Sequence, residues 1–231
     1  MNRPAQDGAP RTSASATAPD IRGVRIPPLQ LAGNLRVPAG ARAIVAFAHG
    51  SGSSRLSPRN RAVAEALNRE GLATLLFDLL SAEEETNRAN VFDIPLLAER
   101  LVAAVRWIDS DAGTAGLALG LFGASTGAAA ALVAAASLGD RIGAVVSRGG
   151  RPDLAGAALD RIVTPTLLIV GGVDYGVIEL NEEALARLRG PKALRIVPGA
   201  SHLFPEPGAL ETVIDHAAEW FALYLRTPRH P

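Results

Sequence analysis

Short apolar runs alternate with stretches of helical periodicity along most of this chain. That alternation restricts its fold more than any other feature. Residues 43–48 (AIVAFA), 72–77, 117–122, 142–146, 166–170 and 193–197 are compact apolar runs of strand length. Residues 58–70, 91–108, 126–138, 179–188 and 210–225 have helix length and helical patterning, as at Leu97, Leu101, Val105 and Ile108. Gly71, Gly139 and Gly190-Pro191 close three of these helices. Such alternation predicts βα units and a largely parallel sheet covered by helices on both faces, an α/β fold. Residues 21–26 and 29–37 stand outside the pattern and predict an antiparallel pair, giving about eight strands. The charge run Glu83-Glu84-Glu85 reads as a solvated loop.

Composition removes several classes of function. The 231 residues suit one α/β domain with a full core. A formal net charge of zero argues against a nucleic-acid partner, which calls for a basic excess. The chain has no Cys, which excludes a disulfide framework, a thiolate zinc site, an iron–sulfur cluster and a cysteine nucleophile. Four scattered His leave little for a metal cluster, so no cofactor and no metal are expected. No run approaches the ~18 apolar residues of a membrane span, so no membrane partner is expected either. Residues 1–20 contain no apolar run and no signal-peptide core; they are expected to form a disordered arm before a domain over 21–226 and a tail over 227–231. The cytoplasm is the default compartment for such a chain.

Sites in parallel sheets lie at the carboxyl ends of the strands, so the residues after each strand matter most. After 117–122 comes Gly123-Ala124-Ser125-Thr126-Gly127, leading into a helix of small residues. This is G-x-S-x-G between strand and helix. The tight turn holds the Ser125 hydroxyl away from the backbone, and the flanking glycines let neighbouring chain come close. The N–H groups opening the next helix favour negative charge at the reacting centre. Ser125 is the candidate nucleophile.

A serine becomes nucleophilic when an imidazole takes its proton, and a carboxylate must orient that imidazole. Asp174 follows the strand 166–170 through Gly171-Gly172, and His202 follows the strand 193–197. Both belong to the same sheet edge as Ser125. His49 precedes Ser125 in the chain, His216 falls within the last helix and His230 lies in the tail. Asp153 is a rival acid, one strand earlier.

The third strand ends in His49-Gly50-Ser51-Gly52-Ser53-Ser54. This loop can turn a backbone N–H toward the substrate oxygen. The N–H groups of Ser51 and Thr126 are the candidate oxyanion donors, with Gly52 the next choice and His49 a brace for the loop. A phosphate cradle is the rival reading, but neither Gly-Lys-Ser/Thr nor G-x-G-x-x-G is present.

FAHGSGSS, LFGASTG, LLIVGGVD and VPGASHLF together resemble an α/β-hydrolase, nearest to small serine esterases like dienelactone hydrolase. The resemblance runs over about residues 21–225. It implies a three-layer fold around a mostly parallel eight-stranded sheet, a cofactor-free Ser125–His202–Asp174 triad and hydrolysis of small carboxylic esters. True dienelactone hydrolases use a cysteine nucleophile, whereas Ser125 occupies that position here. The resemblance therefore points to a general serine esterase. Larger α/β-hydrolases often insert a helical lid after the sixth strand. Here residues 147–164 leave room for one short helix, which predicts an open, shallow site without a sizeable lid. Arg148 and Arg151 lie on that edge as candidate ligands for a substrate carboxylate or phosphate, with an Arg151–Asp153 salt bridge as the alternative.

The expected partner is a small-molecule ester, and the expected assembly a monomer or homodimer. Thioesterase, acyltransferase, perhydrolase or amidase chemistry would use the same constellation. A non-catalytic ligand- or partner-binding protein is the alternative of a different class. The last helix carries Trp220, Phe221 and Leu225, either an exposed apolar face or, more simply, core packing.

Overall fold

The computed structural model describes residues 21–225. The expected arm, the short tail and His230 lie outside the described residues. Strands β1 (Ile21–Ile26), β2 (Leu31–Arg36), β3 (Ala43–Ala48), β4 (Ala73–Phe77), β5 (Ala118–Ala124), β6 (Ala144–Arg148), β7 (Thr166–Gly171) and β8 (Lys192–Val197) form one sheet of eight strands. Their order is β1-β2-β4-β3-β5-β6-β7-β8. β3 through β8 are parallel, while β2 is antiparallel to both β1 and β4. Helices α1 (Pro58–Arg69) and α7 (Ala209–Tyr224) cover one face. Helices α4 (Ile94–Ser110), α5 (Thr126–Leu138) and α6 (Tyr175–Arg187) cover the other. The strands flanked on both faces read as continuous apolar runs because they are buried on both sides; all six residues of β3 are buried.

The structure corrects the sequence expectations in the segment before α4, and it starts α6 at Tyr175, four residues before the helix read over 179–188. Residues 91–108 are not one helix: α3 (Arg88–Phe92) stops, and α4 starts afresh after Asp93. The Asp93 carboxylate accepts from the Leu96 N–H at 3.0 Å. Pro95, which lacks an N–H, sits in the first turn, where none is needed. The Glu83-Glu84-Glu85 run is not a loop but part of the short helix α2 (Ala82–Glu85). Ser81 and Glu84 cap each other's backbone N–H groups there, and Glu84 also pairs with Arg100 at 2.8 Å.

Between β6 and β7 the chain makes only a 3-10 stretch, Pro152–Arg161, kinked at Gly156, with no cap domain. Phe221 and Leu225 are buried under the α1/α7 face, so core packing accounts for the apolar end of α7. Gly120 makes room for it, since a Cβ there would fall 2.7 Å from the Phe221 ring. Burial of such a side chain stabilises the fold by ~1.5–3 kcal/mol. No helix among the described residues is long and apolar enough to cross a membrane.

Candidate functional site

Ser125 stands at the junction of β5 and α5 with φ 50° and ψ −121°. A non-glycine residue held there stores on the order of 1–3 kcal/mol of strain. Packing enforces the turn. A Cβ on Gly123 would fall 2.4 Å from the Ala128 Cα, and one on Gly127 would fall 2.2 Å from the Ala48 carbonyl oxygen. Only glycines let α5 sit this close to β5 and β3. The Ser125 N–H donates to the Arg148 carbonyl at 3.3 Å, and the Arg151 N–H donates to the Ser125 carbonyl at 3.1 Å. A serine at a helix N-cap ordinarily turns its hydroxyl onto the helix N–H groups. Ser125 makes no such bond.

Asp174 repeats the pattern. It occupies the N-cap of α6, yet its side chain does not cap. Its Oδ2 lies 2.7 Å from Nδ1 of His202 instead. The two loops are stitched together: the Gly172 N–H donates to the Val197 carbonyl at 2.8 Å and the Val173 N–H to the Ala200 carbonyl at 3.0 Å. Asp174 is 17% exposed and His202 36%. In neutral His202 the proton on Nδ1 faces the carboxylate and leaves the Nε2 lone pair free to accept another. The imidazole lies over Gly149, where a Cβ would be 3.7 Å from its Cε1. Among the described residues His202 makes no hydrogen bond to the Ser125 hydroxyl; this contact is often long in a substrate-free site.

The loop after β3 is anchored at both ends. His49 Nε2 accepts from the Leu79 N–H at 3.1 Å, and its Nδ1 lies 3.1 Å from the Gly50 carbonyl. A neutral ring protonated on Nδ1 satisfies both contacts, and burial pushes the His49 pKa down, which favours that form. At the other end the Arg55 N–H donates to Asp78 at 2.8 Å, and the Arg55 guanidinium pairs with the same carboxylate. Gly52 adopts φ 66°, closing a turn in which the Ser53 N–H donates to the Gly50 carbonyl at 3.2 Å. Gly50 lies beside the elbow, since a Cβ on it would be 2.9 Å from the Ser125 Cβ. The Ser51 N–H donates to the Thr126 hydroxyl at 3.1 Å. A substrate oxygen at this donor would share it with Thr126 or replace Thr126.

The two candidate arginines are placed differently. Arg151 binds Asp153 through two hydrogen bonds at 2.9 and 2.7 Å, the salt bridge considered as the alternative. Asp153 is thereby engaged away from His202. Arg148 is only 6% exposed and reaches Asn60 at 3.3 Å, while its Nε and Nη1 have no partner among the described residues. Burial and the neighbouring Arg59 lower its pKa to about 10, so it stays charged at neutral pH. On the opposite side of the elbow a cavity of about 320 Å³ opens between the β3 loop, the end of β4 and the α3–α4 segment. Residues 82–92 supply part of its wall; Ser51 and Thr126 line it, whereas Ser125, Asp174 and His202 do not.

Sequence reasoning missed Thr126 as a side-chain partner, Asn60 as the contact of Arg148, and Asn181. Fully buried, Asn181 donates to the Gly150 carbonyl at 3.0 Å and holds the turn after β6. Its one sequence signal is a polar residue on the buried face of α6.

The sheet order, the strand–serine–helix elbow and the absence of a long lid among the described residues define an α/β-hydrolase. A search of family models found no match. A solved structure described as dienelactone hydrolase from Anabaena variabilis matches with TM-score 0.87 and 56% identity, over 90% of this chain and 99% of that one. The chain belongs to the dienelactone-hydrolase family of α/β-hydrolases. An α/β serine hydrolase without lid from Xanthomonas campestris shares the fold at 21% identity, TM-score 0.70, over 95% of this chain and 100% of that one. A curated Mycobacterium tuberculosis protein, provisionally named a phosphoribosyl transferase, is 60% identical over 201 residues, 87% of this chain and 45% of that protein. The chain thus spans about half the length of the curated relatives it matches.

Proposed function

We propose that this chain is a serine hydrolase that cleaves small carboxylic esters through an acyl-enzyme. Ser125 Oγ attacks the ester carbonyl and forms the new C–O bond while His202 Nε2 takes its proton. The N–H groups of Thr126 and Ser51 receive the oxyanion. His202 returns the proton to the leaving alkoxide as the ester C–O bond breaks. Water, deprotonated by His202, then attacks the acyl-enzyme and releases the acid and Ser125. Asp174 fixes the imidazole tautomer and stabilises its charged form.

The observation that carries this reading is the pair of N-cap side chains that leave their helices. Ser125 and Asp174 both decline the local cap, and Asp174 turns to His202 at 2.7 Å. A purely structural role for either gives no reason to forgo a cap typically worth ~1 kcal/mol. The transferase name of the longer relatives is not carried over, because the match covers less than half of that protein.

The test is hydrolysis of p-nitrophenyl acetate with fluorophosphonate labelling. The wild type is expected to turn over the ester and to label at Ser125. Ser125→Ala is expected to lose labelling and at least about 10³-fold in kcat. Full activity in folded Ser125→Ala would refute the assignment, and a folded wild type that neither labels nor hydrolyses would favour a binding protein.

A further inference from the structure

We propose that the cavity between the β3 loop and α3–α4 is the acyl subsite, and that it selects an uncharged acyl chain over a carboxylate-bearing one. The inference rests on the serine-hydrolase reading and adds the substrate class.

The first argument is position. Ser51 and Thr126, the two candidate oxyanion donors, both line this cavity, whereas His202 and Ser125 do not; the cavity meets the elbow at Gly50, where a Cβ would be 2.9 Å from the Ser125 Cβ. In ester cleavage the leaving alcohol must lie against the imidazole that protonates it. The side of the carbonyl remote from His202 therefore receives the acyl group, and that side is the cavity.

The second argument is chemistry. Leu79, Leu80, Val91 and Leu97 supply its apolar wall. Among the described residues no Lys or Arg lines it. Arg55 and Arg100, which flank the lining segments, are engaged by Asp78 and Glu84. The lining groups that can ionise are His49, held toward the neutral form by burial, and Glu85, exposed on α2. A carboxylate entering this space would lose its hydration without gaining a counter-charge, and it would meet Glu85 as a like charge. An alkyl or aryl chain meets matching apolar surface. Arg148 offers no compensation here, because its side chain lies on the α1/α7 side of the sheet, against Asn60.

The third argument is local architecture. The cavity wall comes from residues 79–97, where Asp93 and Pro95 break the chain into α3 and α4. That break turns Val91 into the cavity beside Leu97, and a continuous helix over 91–108 would not make the same corner.

The experiment uses the whole chain and p-nitrophenyl esters of matched length. Wild type is expected to prefer pentanoate to the hemisuccinate by at least about tenfold in kcat/KM, which is 1.4 kcal/mol of discrimination. Val91→Trp, which fills the cavity, is expected to lower the pentanoate-to-acetate ratio of kcat/KM about tenfold, with Ser125 labelling as the check that the variant has folded. Val91→Ala enlarges the cavity and is expected to move the optimum to longer chains, so the test survives if the Trp variant fails to fold. Glu85→Arg is expected to shrink the neutral-to-anionic preference at least about fivefold. Equal or better turnover of the hemisuccinate by wild type would overturn the proposal. So would folded Val91 variants with an unchanged chain-length profile. Failure of the parent reading looks different: no turnover of acetate and no labelling in wild type, which would remove both.

Discussion

The two sides of Ser125 are built on opposite electrostatic terms. Toward α3 and α4, the polar groups of the β3 loop named above are paired. His49 uses both ring nitrogens, the Ser51 N–H has the Thr126 hydroxyl, and Arg55 has Asp78. Toward α1 and α7, Arg148 is buried with two nitrogens unpartnered and another cation, Arg59, as neighbour. One side is held in shape by hydrogen bonds, with no Lys or Arg among the residues that line its cavity; the other holds a buried positive charge with no carboxylate partner directly behind the elbow. A paired loop fixes geometry. An unpaired buried cation costs stability and persists where its field favours negative charge.

Changing each side separately sharpens this contrast. The largest effect is expected at Thr126. Thr126→Val removes the acceptor of the Ser51 N–H while keeping side-chain shape. We expect kcat on p-nitrophenyl acetate to fall about 30-fold with KM within about twofold, because a displaced donor weakens transition-state binding most. Thr126→Ser should restore most of the loss. A valine variant as fast as wild type would show that the hydroxyl does not position the loop.

Arg148→Met comes next. It keeps much of the volume and removes the charge. We expect about a tenfold fall in kcat/KM, similar for neutral and anionic esters. We also expect no loss of stability in urea, since the desolvation cost of a guanidinium without a carboxylate disappears. Marked destabilisation would mean that Arg148 is satisfied by contacts beyond Asn60. A fall confined to anionic esters would instead make it a substrate ligand.

The smallest effect belongs to His49. Its folded pKa lies below the ordinary value of 6.5 because of burial. The unfolded chain therefore binds this proton more readily. The stability it contributes is present above pH about 6.5 and is lost as pH falls through that value toward the folded pKa. Unfolding free energy is expected to fall between pH 7.5 and 5 through this group. His49→Gln should flatten that part of the profile. An equal slope in the variant would remove His49 as the cause.

Much of the fold was legible because it depends on local pattern. α5 begins and ends where the sequence indicates, at Thr126 and Leu138. β6 is displaced by two residues from the reading of 142–146, because Ser147 and Arg148 continue the ladder despite being polar. The helix read over 91–108 failed for a stereochemical reason. Its apolar spacing continues through Asp93 and Pro95, and periodicity does not register a capped restart. Ser125, Asp174 and His202 could be placed on one sheet edge in advance because each follows an apolar strand, and the structure brings Asp174 and His202 into contact there. The contacts of Arg148 could not, since two arginines three residues apart look alike in sequence; one ends in the core and the other on Asp153.

The sequence by itself determined the succession of strands and helices, the glycine-flanked elbow and the edge of the sheet that carries the polar loops. Each follows from residue type and spacing within a few positions. Tertiary structure decided the rest. It placed β4 beside β3, so that Leu79 and Leu80 face the loop of Ser51. It joined Ser51 to Thr126, 75 residues away, and Arg148 to Asn60, 88 residues away. Such contacts have no local signature, because they are set by how close α1, α4 and α5 pack on the sheet, and side-chain volume across the whole core fixes that distance.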